Sequence, residues 1–199
     1  VPTFHPTKEK LVHAFLELLK TQSWNDITSE MVLDNSGITK GSLYHHFEDF
    51  GELIETVRIR RFSHWVDASI EVLTEVVTNS VTKEQLIAAL HEVSVNTQSF
   101  SQSKNRLERT QTISLTNDNP RFATELAKEQ QRLTDALTDI IREAQEKGLI
   151  TSAIKAKVLA VFIQSYTLGK IVDDINPERV DETEWVKLID EIVLKVLSI

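Results

Sequence analysis

The chain has 199 residues, 41% of them hydrophobic and 26% charged, with a formal net charge of −8 and no cysteine. These totals exclude disulfides and thiolate chemistry, and the acidic balance argues against a protein that coats nucleic acid without regard to sequence. Only five glycines and four prolines separate long periodic runs, which predicts an all-α chain rather than a turn-rich β fold.

No apolar run approaches the roughly 18 residues of a membrane span; the longest, "VLAVFI" at 158–163, reads as core. "VPTFHPTKEK" at the start has no charged leader followed by an apolar block. No signal peptide is expected there, and a soluble, cytoplasmic protein is. The charge is uneven. Residues 1–65 hold seven Lys/Arg against nine Asp/Glu, together with five of the six histidines, so most of the excess acid falls later.

In chain order, Thr7 is predicted to cap a first helix whose Leu11, Phe15, Leu18 and Leu19 form an apolar stripe, with Trp24 packing back beneath it. Thr28 is predicted to cap a short second helix with Glu30 in its first turn, where the helix dipole favours a carboxylate. Gly37, in "NSG", can take the left-handed conformation that stops that helix. Thr39 then caps a third, "KGSLYHHF". One long helix is expected from "DFGELIETVRIRR" to "LTEVV", breaking near "TNSVT". Further helices follow at "KEQLIAALHEVSVNTQS", at the polar "SKNRLERTQTISL", and from Pro120 to a stop at Gly148. Another is expected after Ser152 as cap. In the last helix Trp185, Leu188, Ile189, Ile192, Val193, Val196 and Leu197 keep helical spacing.

The two short helices joined at "NSGI" have the spacing of a helix-turn-helix, with Val32, Ile38 and Leu43 placed to bury and lock them. The second presents Thr39, Lys40, Gly41, Ser42, Tyr44, His45 and His46. No acid occurs from residue 36 to 47, so this face can meet phosphates although the chain is acidic. The helix N-terminus and the Thr39 hydroxyl can donate to a phosphate oxygen. Lys40 can reach a phosphate or a guanine edge, Ser42 and His45 can bond base edges, and Tyr44 sets a phenol at phosphate height. Gly41 removes a side chain where backbones must approach.

"KGSLYHHF", preceded by "DNSGIT" and a Thr28-capped helix, resembles the DNA-binding domain of the TetR family of bacterial repressors, with the match running over residues 7–54. The resemblance implies that the third helix enters the major groove. Thr39, Tyr44 and His46 would then meet phosphates and bases, and Lys40, Gly41, Ser42 and His45 would take the variable base-reading places. Thr28 and Ser29 would touch the DNA backbone, while Leu43 and Phe47 would be core. Three positions depart from the family. Phe50 replaces a phosphate-anchoring lysine, and Leu33 and Ser36 each replace an alanine.

Blander readings compete. His45 and His46, adjacent on a helix, point about 100° apart, and neither Glu-x-x-His nor His-Glu-x-x-His occurs, so no metal site is expected. "RIRR" at 58–61 reads as an exposed helix face with Ile59 and Phe62 turned inward. His13, His64 and His91 read as partly buried, and "DD" at 173–174 as a solvent-facing pair. There is no phosphate loop or nucleophile elbow. No catalytic residue, no enzyme activity and no cofactor are expected.

The expected division is residues 1–54, a three-helix helix-turn-helix DNA-binding domain, and 55–199, a larger helical bundle, about nine helices in all. For the second part the resemblance implies effector binding and dimerisation. Phe100, Phe162 and Tyr166 are candidate aromatic walls of a pocket, with Arg106 or Arg109 facing an anionic ligand. Val161, Leu168, Gly169, Val172, Trp185 and Ile189 are candidates for a dimer interface. The expected partners are double-stranded operator DNA, a small-molecule effector and a second copy of the chain, with no membrane. The expectation is a ligand-responsive repressor binding palindromic DNA as a dimer. The alternative is a helical scaffold that never touches DNA.

Overall fold

The computed structural model describes residues 5–198, and of residues 196–198 the backbone alone. The Val196 and Leu197 side chains expected in the last apolar stripe therefore lie outside the described residues. Ten α-helices and one 3-10 turn, with no strand, make up the described residues. The shortest helix, α9 (Ile171–Asp174), follows α8 (Ala156–Gly169) after a one-residue break; taken as the last turn of α8, it leaves nine. Two compact units divide between His64 and Trp65.

The first unit holds α1 (Pro6–Leu18), α2 (Ser29–Ser36), α3 (Lys40–His46) and the start of α4 (Phe50–Asn79). Its core is apolar. Leu11, Val12, Phe15, Ile27, Val32, Leu43, Phe47, Leu53 and Val57 are buried, and Trp24, Leu33, Ile38 and Phe50 pack on them half-buried. The first helix begins earlier than expected. His5 caps it, its Nδ1 accepting the Thr7 N–H at 3.3 Å, because Pro6 at the first helical position has the fixed φ a helix start needs and no N–H to satisfy.

The "RIRR" segment corrects a second expectation, since none of its side chains is fully exposed. Arg58 lies over the Trp24 ring, 4.0 Å from its centroid. Arg60 grips Glu9 with two bonds of 2.7 and 3.2 Å and is 12% exposed. Guanidinium groups are weakly hydrated and stack on aromatic faces, so they cover core edges as well as meeting solvent. His13, His64 and His91, in contrast, are exposed.

The second unit contains the rest of α4, α5 (Lys83–Gln98), the 3-10 turn Phe100–Gln102, α6 (Ser103–Ser114), α7 (Pro120–Glu146), α8, α9 and α10 (Glu182–Ser198). Asn119 caps α7 by accepting the Phe122 N–H at 3.0 Å. Pro120 opens α7, and Gly148, at φ 69°, stands just past its end. Phe122, Leu126, Leu133, Leu137, Ile141 and Ala144 keep one helical face buried. α7 packs on α8, α5 on α10, and α6 on α9. Ser152 does not cap the next helix. α8 starts at Ala156 after Lys155, without a side-chain cap, and the connection is held instead from α7 by Gln145, whose Nε2 donates to the carbonyls of Thr151 and Ile154 at 2.9 and 2.8 Å.

Candidate nucleic-acid interface and helical-domain cavity

The turn between α2 and α3 is built by short side chains bonding their own backbone. Thr28 Oγ1 accepts the Met31 N–H, and Thr39 Oγ1 accepts the Ser42 N–H, each at 3.3 Å. Both hydroxyls act here as acceptors, so their O–H groups remain available to donate outward. Gly37 sits at φ 67° and donates its N–H to the Leu33 carbonyl at 2.9 Å. Ser36 gives the turn what an alanine could not: its Oγ donates to the Leu33 carbonyl at 3.3 Å and accepts the Ile38 N–H at 3.2 Å.

α3 separates its residues cleanly. Leu43 and Phe47 are buried, while Thr39, Lys40, Gly41, Tyr44 and His45 are exposed, Tyr44 at 44%. Ser42 and His46 are half-buried, as is Ser29 on α2, beside the exposed Thr28. A Cβ added at Gly41 would meet nothing within 4 Å, so nothing inside the protein requires a glycine there. Its small size matters only to something arriving from outside.

Two residues that sequence reasoning missed join this face from α1 and its cap. The His5 ring stacks on His46 at 4.6 Å, and Lys8 sits 4.7 Å over the Phe47 ring. Loss of hydration, then the neighbouring His5, His45 and Lys8, hold the His46 imidazole below its ordinary pKa. No local pattern pairs residues some forty positions apart, so only folding reveals this cluster. Phe50 points the other way. Its ring lies 6.0 Å from Phe15 and packs on the core. The start of α4 is instead capped by acids: Asp49 Oδ1 accepts the Glu52 N–H at 2.7 Å, and Glu52 accepts the Glu48 N–H at 2.6 Å.

The second unit contains a cavity of about 460 Å³, partly open to solvent and lined mainly by aliphatic side chains of α4, α5, α7 and α8. Phe162 and Tyr166 line it with their rings 5.4 Å apart. Burial pushes the Tyr166 phenol above its ordinary pKa, so it stays neutral. Phe100 does not reach the cavity; the Arg179 guanidinium lies 3.9 Å over its half-exposed ring.

The two arginines also line the cavity, but differently. Arg106 is 2% exposed and already neutralised. It holds Asp174, itself 2% exposed, through bonds of 2.5 and 2.7 Å, and donates to the carbonyls of Thr97 and Ser99 at 2.7 and 3.0 Å. Asp174 is therefore no solvent-facing acid, and Asp173 is engaged by Lys170 and by the Val180 N–H. Arg109 lies 3.4 Å over the Trp65 ring with its Nε buried and without a hydrogen-bond partner. Burial, then the nearby Arg106, lowers its pKa to about 10, which leaves it cationic at neutral pH.

Of the interface candidates, Val161, Gly169 and Val172 are exposed and Leu168 is half-buried. Trp185 and Ile189 face inward instead. Ile189 is 4% exposed, and Trp185 donates its Nε1–H to Gln98 Oε1 at 2.9 Å. The neighbouring Leu188 carries the exposed face of α10. A stripe's spacing shows that one face is apolar, and here α5 covers much of it.

No family model matches the chain. The curated transcriptional regulator UidR of Escherichia coli K12, named as HTH-type, is 21% identical over 168 residues, covering 84% of this chain and 81% of UidR. A solved structure from Mesorhizobium loti, assigned to the TetR family of transcriptional regulators, superposes with a TM-score of 0.70 at 15% identity, covering 96% of this chain and 95% of that one. The TetR-family repressor FadR of Thermus thermophilus, solved with lauroyl-CoA, gives 0.65 at 14% identity, covering 94% and 93%. The chain has the fold of the TetR family of transcriptional regulators.

Proposed function

We propose that the protein is a transcriptional repressor that binds palindromic operator DNA as a homodimer and is released by a small-molecule effector. The observation that carries this reading is the exposed face of α3, where Thr39, Lys40, Gly41, Tyr44 and His45 stand outward over buried Leu43 and Phe47. Such a helix fits the major groove, with Lys40, Ser42 and His45 toward base edges and Thr28, Ser29, Thr39, Tyr44 and His46 toward phosphates. The first 54 residues then form the DNA-reading domain, and residues 55–199 bind effector and partner.

Reading two half-sites about 34 Å apart requires two copies. The exposed Val161, Gly169 and Val172, with half-buried Leu168, offer an apolar surface for the second copy, to which Leu188 adds. The effector site is the cavity, with Arg109, Phe162 and Tyr166 on its wall. The Thermus regulator of the same fold was solved in complex with lauroyl-CoA, which supports assigning this chain a small-molecule ligand. α4, which contributes residues to both units, is the element through which the effector acts. DNA and effector must then weaken each other's binding by the same factor. On this reading the protein works in the cytoplasm.

The test is selection from random duplex DNA with the purified protein. An enriched two-fold palindrome with half-sites one helical turn apart is expected. A pool with no enriched motif, from a folded dimer at low salt, would sink the reading and leave a helical scaffold in its place.

A further inference from the structure

We infer that the cavity binds an amphiphile with one anionic head group and an unbranched apolar tail, the head held by Arg109. This rests on the assignment of the cavity as the effector site. The cavity has two chemically different ends. Along α4, lining residues run from Trp65 to Val77, about 18 Å at the rise of an α-helix. α7 follows the same direction, since Arg132 meets Asp67 at 2.6 Å and Lys147 donates to the Val77 carbonyl at 3.0 Å. Arg109 lies over Trp65 at the first end. At the other end the lining offers Val76, Val77, Ala144 and Ile150, with no polar side chain among them.

Among the described residues, the charge at the first end lacks a counterpart. Arg106 has Asp174 and two carbonyls, so that pair sums to zero. Arg109 has only the Trp65 face, with Nε buried and unpartnered. Stacking occupies the flat face of a guanidinium and leaves free the in-plane N–H groups that meet a carboxylate or phosphate in a fork. Arg109 is half-buried, and burying its Nε without a hydrogen-bonded partner is costly; a bound anion would offset that cost. The volume of about 460 Å³ falls within the range of small-molecule sites, and its length suits a chain better than a compact ring system.

The test is calorimetric titration of the DNA-free protein with decanoate, decyl phosphate, decan-1-ol, acetate and inorganic phosphate. At least one decyl anion should bind about 10-fold or more tighter than decan-1-ol, as a charge-assisted hydrogen bond implies. Whichever of decanoate and decyl phosphate binds more tightly identifies the head group. Acetate and inorganic phosphate should give no measurable heat, since they lack the tail. Arg109→Gln should abolish the preference for the anion, and Arg109→Lys, which keeps the charge, should restore part of it. Equal binding of decan-1-ol and both anions, an undiminished preference in Arg109→Gln, or no binding by any decyl compound would overturn the assignment. Because DNA is absent, a failed operator selection would leave the ligand class standing, and an enriched palindrome would survive its loss.

Discussion

The two units handle polar residues in opposite ways. Among the described residues of the first, the buried polar set is Ser63 alone, at its very end, and the chemistry stands outward on α2 and α3. The second buries Ser80, Ser94, Gln98, Arg106, Thr112, Thr134, Thr138 and Lys170. Three of its threonines bond carbonyls one turn back at 2.6 to 3.0 Å, while Arg106 is satisfied by Asp174, 68 positions away. The first unit therefore presents its polar chemistry outward. The second keeps polar groups inside, two of them (Ser94 and Arg106) on the cavity wall, where each must find a partner or leave one for a ligand.

The contrast can be broken first at Arg106. Arg106→Leu should lower the stability measured by urea unfolding by about 3–5 kcal/mol, because it strands the buried Asp174 carboxylate. Pairing it with Asp174→Leu should recover most of the loss, since replacing both buried charges removes the stranded group. If the single variant unfolds like wild type, the buried pair does not hold α6 to α9.

A smaller effect is expected at the turn of the first unit. Gly37→Val forces a β-branched residue to φ 67° and should cost about 1–2 kcal/mol in the same assay. A Cβ there would meet nothing within 4 Å, so the loss comes mainly from backbone strain. Smaller again, Thr39→Val removes the hydroxyl that accepts the Ser42 N–H and should cost about 1 kcal/mol. That variant should also weaken DNA binding beyond its effect on stability, as the donor proposed for a phosphate is lost too.

The mildest effect concerns pH. The folded protein holds His46 below its ordinary 6.5, so the unfolded chain takes up the proton more readily. This contribution to stability is present above 6.5 and is lost as pH falls through the lowered value. Phosphates close to His46 act in the opposite sense by favouring the charged ring. Operator affinity, followed by fluorescence anisotropy, should therefore rise as pH falls from about 7.5 to about 6. Affinity independent of pH would place His46 away from the phosphates.

What could be read from the sequence follows the same division. Thr28, Gly37 and Thr39 act within three or four residues of themselves, and each took its expected place. Even there, two local rules competed at the start of α1, and Pro6 with His5 prevailed over Thr7. The alternation of exposed and buried positions on α3 was legible because one apolar face of a short helix has only one core to meet. The ion pair of Arg106 with Asp174 was not, since nothing near "DD" or "NRLER" marks either as buried. For the same reason Trp185 and Ile189 read as candidates for a dimer interface. Periodicity identifies an apolar face, and only the tertiary fold determines that α5 covers it.

If α3 reads DNA through its exposed face, removing the one lysine on that face must change how binding responds to salt. The selected duplex is titrated with the wild type and with Lys40→Ala across a series of salt concentrations. Lys40 is exposed, and no buried structure depends on it. The variant should bind more weakly, with the slope of log affinity against log salt reduced by about one. A variant matching the wild type in both affinity and slope would contradict that role for α3.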